Sequence, residues 1–511
     1  MVLCLLVAYS LQAQNKKYEF RAAWVASVVN IDYPSVNLKG ANSDVLKTEF
    51  IRILDMHKSL GMNAVIVQVR PAADAFYPSQ YEPWSEYLTG KQGRPPVPYF
   101  DPLAFMVAET HRRGMEFHAW CNPYRAVFDV SKSSLSASHI TKVKPSWFIK
   151  YNGDSRTTKY FDPGNPEVWN YITNVMKDIV SRYDVDALHF DDYFYPYKNA
   201  KKDFADSKTF KKFNRGLQKD DWRRSNVDSI ICKISKAVKE AKPLCKFGVS
   251  PFGIWRNVRQ DSINGSNTNG SSCYDDLYAD VLLWSKNKWI DYVAPQLYWE
   301  IGHPKADFVT LLNWWNAHTN GIHLYIGQAI YRASENSAGW RNKPTELLDQ
   351  INLMRANENT KGSIYFSSKS FEKNPNGWID SLKNNYYRSA ALVPSMPWLY
   401  NTKANTPVVN NKFLNNSLEL AFKKVDSYNN ETKQYVIYVM PADKINFENN
   451  DNIFEIVPIE ETNYKLNFSD LAENLTAIKV AVTAINKGNV ESVPTSLYSF
   501  IKKNGKWVAA P

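Results

Sequence analysis

Eight short apolar segments alternate with longer amphipathic stretches along most of this chain, and this alternation restricts the possible folds more than any other feature. The amphipathic stretches lie at residues 43–60, 102–113, 166–183, 224–241, 307–319 and 344–357. The apolar segments lie at residues 20–27, 63–70, 115–124, 186–194, 246–253, 292–299, 324–331 and 362–368. Strands that alternate with helices predict an α/β fold, and eight such units predict a (β/α)8 TIM barrel. No dinucleotide-type glycine fingerprint follows the first strand, which disfavours a doubly wound sheet.

The end of the chain has a different pattern. Residues 392–409 are rich in proline and polar residues, and short strands separated by turn residues follow them, such as "KQYVIYVMP". This spacing predicts a small β-sandwich, whose closing pattern resembles the end of a fibronectin type III-like module. We therefore expect a barrel over residues 18–392, a linker over 393–409 and a fibronectin type III-like β-sandwich over 410–504.

The first residues, "MVLCLLVAYSLQAQN", are apolar up to a small-residue cleavage pattern that ends at Ala13. This pattern predicts a signal peptide over residues 1–14 whose usual basic start is missing, and it is too short to span a bilayer. We therefore expect an exported protein of the periplasm, the cell envelope or the extracellular space.

The chain carries a formal net charge of +11, and its densest basic stretch spans residues 198–224. Acidic residues are interspersed there, as on solvated helix faces, but the surplus would allow weak association with an anionic cell-envelope polymer. No zinc-finger spacing or RNA-binding signature predicts a nucleic-acid partner. The pattern of residues carries no indication of the oligomeric state.

Polar and aromatic residues gather at the ends of the predicted strands, where barrel enzymes carry their active sites. Aromatic residues make up 14% of the chain, and some of them would stack on sugar rings, with Trp24, Trp120, Trp255 and Trp299 as candidate platforms. Such a rim suits a polyhydroxylated ligand such as a polysaccharide. The predicted ligand-binding residues are Arg70, Asp74, Trp120, Asn122, Tyr124, His189, Asp192, Tyr193, Trp255, Gln296, Tyr298 and Gln328.

The segment "DALHFDDYFYP", residues 186–196, ends its strand with two adjacent aspartates. Side chains alternate along a strand, so His189, Asp191 and Tyr193 share one face, while the apolar Leu188 and Phe190 share the other. The apolar face fits the layer between barrel and helices. We therefore expect Asp191 inside the barrel mouth, as a catalytic nucleophile or base, and Asp192 at its edge.

Cleavage of a glycosidic bond commonly needs two carboxyl groups, one of them protonated. Glu300, which follows the sixth predicted strand, is the favoured acid, because Tyr298 and Trp299 beside it would raise its pKa. Asp74, Glu82 and Asp162 are weaker candidates, since they lie further along loops.

Two other readings stay open. His118, His189, Asp191 and Asp192 would supply ligands for a metal-dependent polysaccharide deacetylase, but no HxH or HxxxH pair is present, so neither a metal nor another cofactor is predicted. A non-catalytic carbohydrate-binding barrel would keep the aromatic residues without a convergent carboxylate pair. The stretch "GVSPFG" lacks the nucleophile-elbow pattern of serine hydrolases.

Several of these stretches together resemble the glycosyl hydrolase-like 10 family of exported bacterial barrels. They include "EFRAAWVASVVNIDYP", "NAVIVQVRPAADAFYPS", "DALHFDDYFYPY" and "FGVSPFGIWRN", and the resemblance runs from residue 19 to about residue 390. It implies a glycoside hydrolase-like activity on carbohydrate of the cell envelope. One branch of the family acts on peptidoglycan glycan strands stripped of their stem peptides, which makes such strands a substrate to expect. The predicted sandwich lies outside the resemblance.

Overall fold

The computed structural model describes residues 16–153, 155–198, 202–334, 338–424 and 431–510. The predicted leader therefore lies outside the described residues. Across the described ranges, no helix is both long and apolar enough to cross a membrane.

Eight parallel strands close into a barrel, as the alternation predicts. The strands pair in chain order, and the last closes on the first through the register Phe20 to Gly362. They are β1 (Phe20–Val25), β2 (Ala64–Arg70), β3 (Glu116–Cys121), β4 (Ala187–Phe190), β5 (Lys246–Val249), β6 (Tyr292–Val293), β7 (His323–Gln328) and β8 (Thr360–Tyr365).

Helices that follow the strands form the outer layer. Two of them show why they begin where they do: the Asp101 carboxylate and the Asn165 side chain each accept a backbone N–H of the first turn, and a proline follows each cap. Two short helices, Val281–Lys286 and Trp378–Ser381, lie outside the predicted amphipathic stretches. The helices are α1 (Ser43–Ser59), α2 (Pro102–His111), α3 (Pro166–Arg182), α4 (Lys219–Ala241), α5 (Val281–Lys286), α6 (Phe308–Ala317), α7 (Glu346–Ala356) and α8 (Trp378–Ser381).

Alternation along the strands separates two cores. Side chains such as Leu188 and Phe190 pack outward against the helices, while Trp24, Ile66 and Tyr325 fill the barrel interior. Each aliphatic side chain buried in this way contributes roughly 1.5–3 kcal/mol. The barrel is therefore a packed body whose ligand site must lie at its rim.

A small antiparallel sheet, which the sequence pattern did not predict, is inserted after β3. Its strands are Arg125–Val127, Phe148–Asn152 and Thr157–Phe161. Because the insertion follows the carboxyl end of a barrel strand, it stands on the same face as the ends of the other strands.

Two antiparallel sheets follow the barrel and share one core. The first sheet has three strands and the second has five. Whether this sandwich is of the fibronectin type III-like kind stays a prediction. The strands are β9 (Val408–Leu414), β10 (Ser417–Lys423), β11 (Thr432–Pro441), β12 (Ile453–Pro458), β13 (Asn463–Asn467), β14 (Ala477–Asn486), β15 (Tyr498–Lys503) and β16 (Lys506–Ala509).

The five-stranded sheet packs its second face on the barrel. Val436 and Tyr438 of β11 share a core with Leu392, which follows the barrel, and with Tyr18, which precedes β1. These contacts lie at the amino ends of the barrel strands, opposite the mouth. The C-terminal sheets therefore form the floor of the barrel.

Candidate active site

The two aspartates that follow β4 are both buried at the barrel mouth. Asp191 is 4% exposed and Asp192 is 3% exposed. Leu188 and Phe190 point into the outer core, and His189 is fully buried with its ring bonded to interior side chains. Asp192 is thus as enclosed as Asp191, whereas strand parity placed it at the edge.

A chain of amides holds Asp191. Asn122, just after β3, donates from Nδ2 to Oδ2 of Asp191 at 2.6 Å. Gln68 of β2 donates to the Asn122 side-chain oxygen at 2.5 Å, and its own oxygen accepts the backbone N–H groups of Ser27 and Val28. The backbone after β1 thus orients Gln68 of β2, and Gln68 orients Asn122 after β3. Asn122 then donates a hydrogen bond to the Asp191 carboxylate.

Two opposed effects act on the pKa of Asp191. Burial raises it, while the Arg125 guanidinium and the Asn122 amide lower it. The net pKa lies above its ordinary value, although an Arg125 nitrogen is 4.0 Å from Oδ2. The Tyr193 backbone N–H, at 3.3 Å, adds a third stabilising contact to the charged form.

Asp192 is held as the more weakly acidic of the two carboxyl groups. Burial, with the charge of Asp191 as the second cause, raises its pKa to about 7. The Tyr197 hydroxyl donates to its Oδ2, and the Gln296 amide also favours the charged form. Burial and the neighbouring charge of Asp191 therefore both disfavour the ionised form of Asp192.

Aromatic rings surround the two carboxyl groups. Tyr193 lies under the Arg125 guanidinium, with 4.8 Å between the guanidinium carbon and the ring centre, and its ring meets Tyr197 edge to face. Tyr197 contacts Phe252, which in turn contacts Trp299. Tyr197 is exposed and the other three rings are half-buried, so this row gives the mouth an accessible apolar wall suited to the faces of sugar rings.

Trp120 and Tyr298 stand close to the aspartates. The Trp120 indole is near enough to Asp191 to lower its pKa, yet its buried N–H makes no hydrogen bond of ordinary geometry with the described part of the chain. Burial and the neighbouring Tyr331 raise the pKa of the Tyr298 hydroxyl, and both aspartates add to the rise. Both side chains hold polar groups near the carboxyl pair.

Arg70 is fully buried and holds two strand ends together. Its Nε donates to Glu82 at 2.8 Å, and its Nη1 donates to the backbone oxygen of Asn122. Asp74 is likewise buried, where it accepts the backbone N–H of Ala72 at 3.1 Å. The polar atoms of both residues thus bond to neighbouring loops of the protein, and their ligand contacts stay predictions.

Three other predicted ligand-binding residues also face the interior. Gln328 points to the helix layer, where its Nε2 donates to Gln350 of α7 at 3.0 Å. Trp255 packs in the outer core, with its ring stacked on that of Trp314. Tyr124 is fully buried in the same core. Core packing surrounds these three side chains, and their ligand contacts stay predictions.

Glu300 lies in the loop after β6 and is half-buried. Its carboxyl group rests against Gly339, at the place where any larger residue would put a Cβ atom. The role of Glu300 as an acid stays a prediction.

Across the described residues, no group of three His, Cys, Asp or Glu side chains is arranged to hold a metal ion. His118 and His189 bond to the same Tyr292 hydroxyl, each at 2.9 Å. Burial lowers the pKa of both rings. The two histidines therefore belong to a hydrogen-bonded interior of the barrel.

The basic stretch at residues 198–224 is partly internal. Arg223 is 2% exposed and its Nε donates to Asp206 at 2.7 Å. Lys219 pairs with Asp203 at 2.6 Å. Much of the positive charge in this stretch is thus balanced within the protein, and the proposed association with an anionic polymer would have to rest on the remaining lysines.

Gln68 and Tyr197 belong to the site but were not among the predicted residues. Gln68 shares its strand face with Ala64 and Ile66, so its period-2 position could have shown that it points inward. Tyr197 contacts Asp192 through a loop whose path no local pattern predicts. The fold alone reveals that residue.

The model of the family described as Glycosyl hydrolase-like 10 matches residues 19–342. Glycosyl hydrolase YngK of Bacillus subtilis (strain 168) is 45% identical over 441 residues, which cover 84% of this chain and 84% of that protein. Glycosyl hydrolase DigH of Escherichia coli (strain K12) is 37% identical over 371 residues, which cover 69% of this chain and 84% of that protein.

Solved structures show weaker similarity. The glycoside hydrolase domain of PgaB (BpsB) from Bordetella bronchiseptica is 13% identical, with a TM-score of 0.43, over 72% of this chain and 98% of that one. Alpha-L-fucosidase isoenzyme 2 from Paenibacillus thiaminolyticus is 11% identical, with a TM-score of 0.44, over 72% of this chain and 49% of that one. The family match and the identity to the two bacterial relatives carry the assignment: the chain belongs to the glycosyl hydrolase-like 10 family.

Proposed function

We propose that this protein hydrolyses glycosidic bonds in a polysaccharide of the bacterial cell envelope. The observation that carries the proposal is the unequal carboxyl pair after β4. Burial raises the pKa of both groups, but Asn122 and Arg125 oppose this rise at Asp191, whereas the charge of Asp191 adds to it at Asp192, whose pKa is raised to about 7. Glycoside hydrolysis needs such a division between an ionised carboxylate and a carboxylic acid.

Asp191 acts in this proposal as the nucleophile or base. It lies inside the mouth, where it accepts hydrogen bonds from Asn122 and from the Tyr193 backbone N–H and has the Arg125 guanidinium beside it. The acid is Asp192, because its proton is retained near neutral pH. Glu300 is the second candidate for the acid, since it too lies in a loop at the mouth, beside Trp299.

The substrate proposed first is a peptidoglycan glycan strand stripped of its stem peptides. The row of aromatic rings from Tyr193 to Trp299 would contact sugar faces, and Trp120 keeps a buried N–H for a hydroxyl or acetamido group. Export fits this substrate, and the apolar stretch at residues 1–14 supports it.

The C-terminal sandwich is proposed to be fibronectin type III-like. Supporting this are the two antiparallel sheets, with β9, β10 and β13 in one and β12, β11, β14 and β15 side by side in the other. The segment around residues 393–409 links it to the barrel.

The test is digestion of purified glycan strands with and without stem peptides, with products analysed by mass. We expect shortened chains from bare strands, and their loss in Asp191→Asn. A chelator control separates the alternatives: release of acetate that stops with chelator would identify a deacetylase, and no product from any strand would leave a carbohydrate-binding barrel. Either result would overturn the proposed hydrolase.

A further inference from the structure

A chain of hydrogen bonds runs through the barrel from its mouth to its floor. At the mouth, Trp24 Nε1 donates to His189 Nε2 at 3.2 Å. The His189 Nδ1 lies 2.9 Å from the Tyr292 hydroxyl, which lies 2.9 Å from His118 Nδ1. The His118 Nε2 lies 3.1 Å from a carboxylate oxygen of Glu116, at the start of β3. All five side chains are buried.

The C-terminal domain supplies two of the groups that hold the lower end of this chain. Glu116 accepts from Lys246 of β5 at 2.6 Å, from Lys433 of β11 at 3.1 Å and from the Asn489 amide at 2.9 Å. Lys433 and Asn489 lie beyond the family match. With Lys246 in contact with both of its oxygens, Glu116 is a carboxylate and only accepts hydrogen bonds.

Trp24 at one end of this hydrogen-bond chain and Glu116 at the other require the same direction of hydrogen-bond donation. The Trp24 indole can only donate, so His189 Nε2 is the acceptor and a neutral His189 carries its proton on Nδ1. That proton goes to the Tyr292 oxygen, whose own hydroxyl then donates to His118 Nδ1. His118 is left with its proton on Nε2, which is the donor that the Glu116 carboxylate requires. Every member is satisfied in this one arrangement, with both histidines neutral.

The upper end of the hydrogen-bond chain is linked to the carboxyl pair through Ser250 and Gln296. His189 Nε2 is also 3.0 Å from the Ser250 hydroxyl. The Ser250 backbone oxygen accepts Gln296 Nε2 at 3.0 Å, and the same amide favours the charged form of Asp192. A change of proton position on His189 would put an N–H against the Trp24 N–H and disturb the wall that Ser250 and Gln296 form.

We propose that His189 is a positioning residue of the active site, and that the C-terminal domain fixes its protonated nitrogen from the barrel floor through Glu116, His118 and Tyr292. The sandwich is thus a part of the catalytic unit. The link to catalysis rests on the proposed function, whereas the hydrogen-bond direction can be tested without any substrate.

The test is nitrogen NMR of the imidazole rings in full-length protein labelled at its eight histidines. In the native protein we expect a proton on Nδ1 of His189 and on Nε2 of His118, with both rings neutral. Glu116→Gln keeps the shape but turns an amide donor toward His118, so the His118 proton should move to Nδ1. Tyr292 must then accept from both rings, and the His189 signals should shift.

Tyr292→Phe removes the hydroxyl that joins His118 to His189 and so separates the two halves of the hydrogen-bond chain. In the double variant with Glu116→Gln, His118 should still respond, while the His189 signals should equal those of Tyr292→Phe alone. If Glu116→Gln leaves the His189 signals at their native positions, the floor does not control His189 and the proposal is overturned. This outcome differs from a failure to cleave glycans, which bears on the proposed function only.

Lys433→Met tests the contribution of the C-terminal domain. Glu116 would keep Lys246 and His118 as positive or donating neighbours, Asn489 as a neutral donor, and Asp186 as a negative group. Loss of one cation should let Glu116 take a proton at a higher pH than in the native protein, and His118 should then change its protonated nitrogen.

The matched control is Lys487→Met. Lys487 belongs to the same domain but pairs with Glu431 at 2.6 Å and does not contact Glu116. In Lys487→Met, Glu116 and His118 should therefore titrate as in the native protein. If Glu116 and His118 titrate alike in the Lys433 and Lys487 variants, the C-terminal domain does not control the protonation of the hydrogen-bond chain. The proposal is then overturned. With the assigned substrate in hand, Glu116→Gln should lower kcat by about tenfold, as expected for one buried donor left unpaired.

Discussion

The amide of Asn122 donates to Asp191 at 2.6 Å, and its orientation is fixed from behind. Gln68 donates to the oxygen side of this amide at 2.5 Å, so the nitrogen side must face the carboxylate. Three successive strand ends thus prepare one carboxylate for a charged role. The hydrogen bond from Asn122 thus lowers the pKa of Asp191, and its loss should raise that pKa.

Replacing Asn122 with alanine should therefore raise the pKa of Asp191. A hydrogen bond to a charged group contributes about 1.5–3 kcal/mol, which corresponds to about one to two pKa units. Because Asp191 acts as a carboxylate, the acid limb of the pH dependence of kcat/KM should move to higher pH. Gln328→Leu serves as the control, since Gln328 faces α7, and it should keep the native profile.

Replacing Asp192 with asparagine should remove the proton donor. With a pKa raised to about 7, the acid form is lost as the pH rises through neutrality, so native activity should fall on the alkaline side. In Asp192→Asn, kcat should fall by about 10²–10⁴-fold for substrates with poor leaving groups. Aryl glycosides with good leaving groups should be affected much less. Should Glu300→Gln show this pattern while Asp192→Asn does not, Glu300 is the acid.

Arg70 offers a prediction about stability. Arg70→Met leaves Glu82 buried without its cation, and such a loss costs about 3–5 kcal/mol. The midpoint of urea unfolding should fall accordingly. The double variant Arg70→Met with Glu82→Leu should recover most of the loss, because no charge is then left unpaired. KM for glycan strands should stay native in the folded variants, and a large rise in KM would show that Arg70 binds the substrate.

The barrel could be predicted from sequence because its signals are local and repeated. Each strand is a short apolar run closed by polar residues, and parity alone placed Leu188 and Phe190 outward. The same parity, applied to β7, would have shown that Gln328 shares the outward face of Leu324 and Ile326. The polar composition of the strand end does not by itself reveal this orientation.

Other features depended on contacts that no local pattern encodes. The inserted sheet after β3 has short, half-exposed strands such as Phe148–Asn152, whose side chains show no clear apolar alternation. Tyr197 reaches Asp192 from a loop, and Lys433 reaches Glu116 across more than 300 positions of the chain. Distant pairs of this kind are set by how the chain closes on itself, so the sequence of either partner carries no sign of them.

Asp192 also gives a prediction about stability and pH. Its pKa is raised from about 3.8 to about 7 in the folded protein, so between these values the folded state binds more protons than the unfolded state. The free energy of unfolding should therefore fall as the pH rises from about 4 to 7, by up to about 1.4 kcal/mol per pH unit from this group.

Asp192→Asn should remove the contribution of this group to the pH dependence of the free energy of unfolding, measured by urea unfolding between about pH 4 and 7. The matched control is Asp228→Asn, because burial raises the pKa of Asp228 to about 7 as well, yet this carboxyl group belongs to α4 and accepts from Trp284 of α5. Both variants should flatten the dependence of stability on pH, but only Asp192→Asn should change the pH dependence of activity. If Asp192→Asn leaves the slope unchanged, the carboxyl group is ionised in the folded protein and cannot serve as the acid.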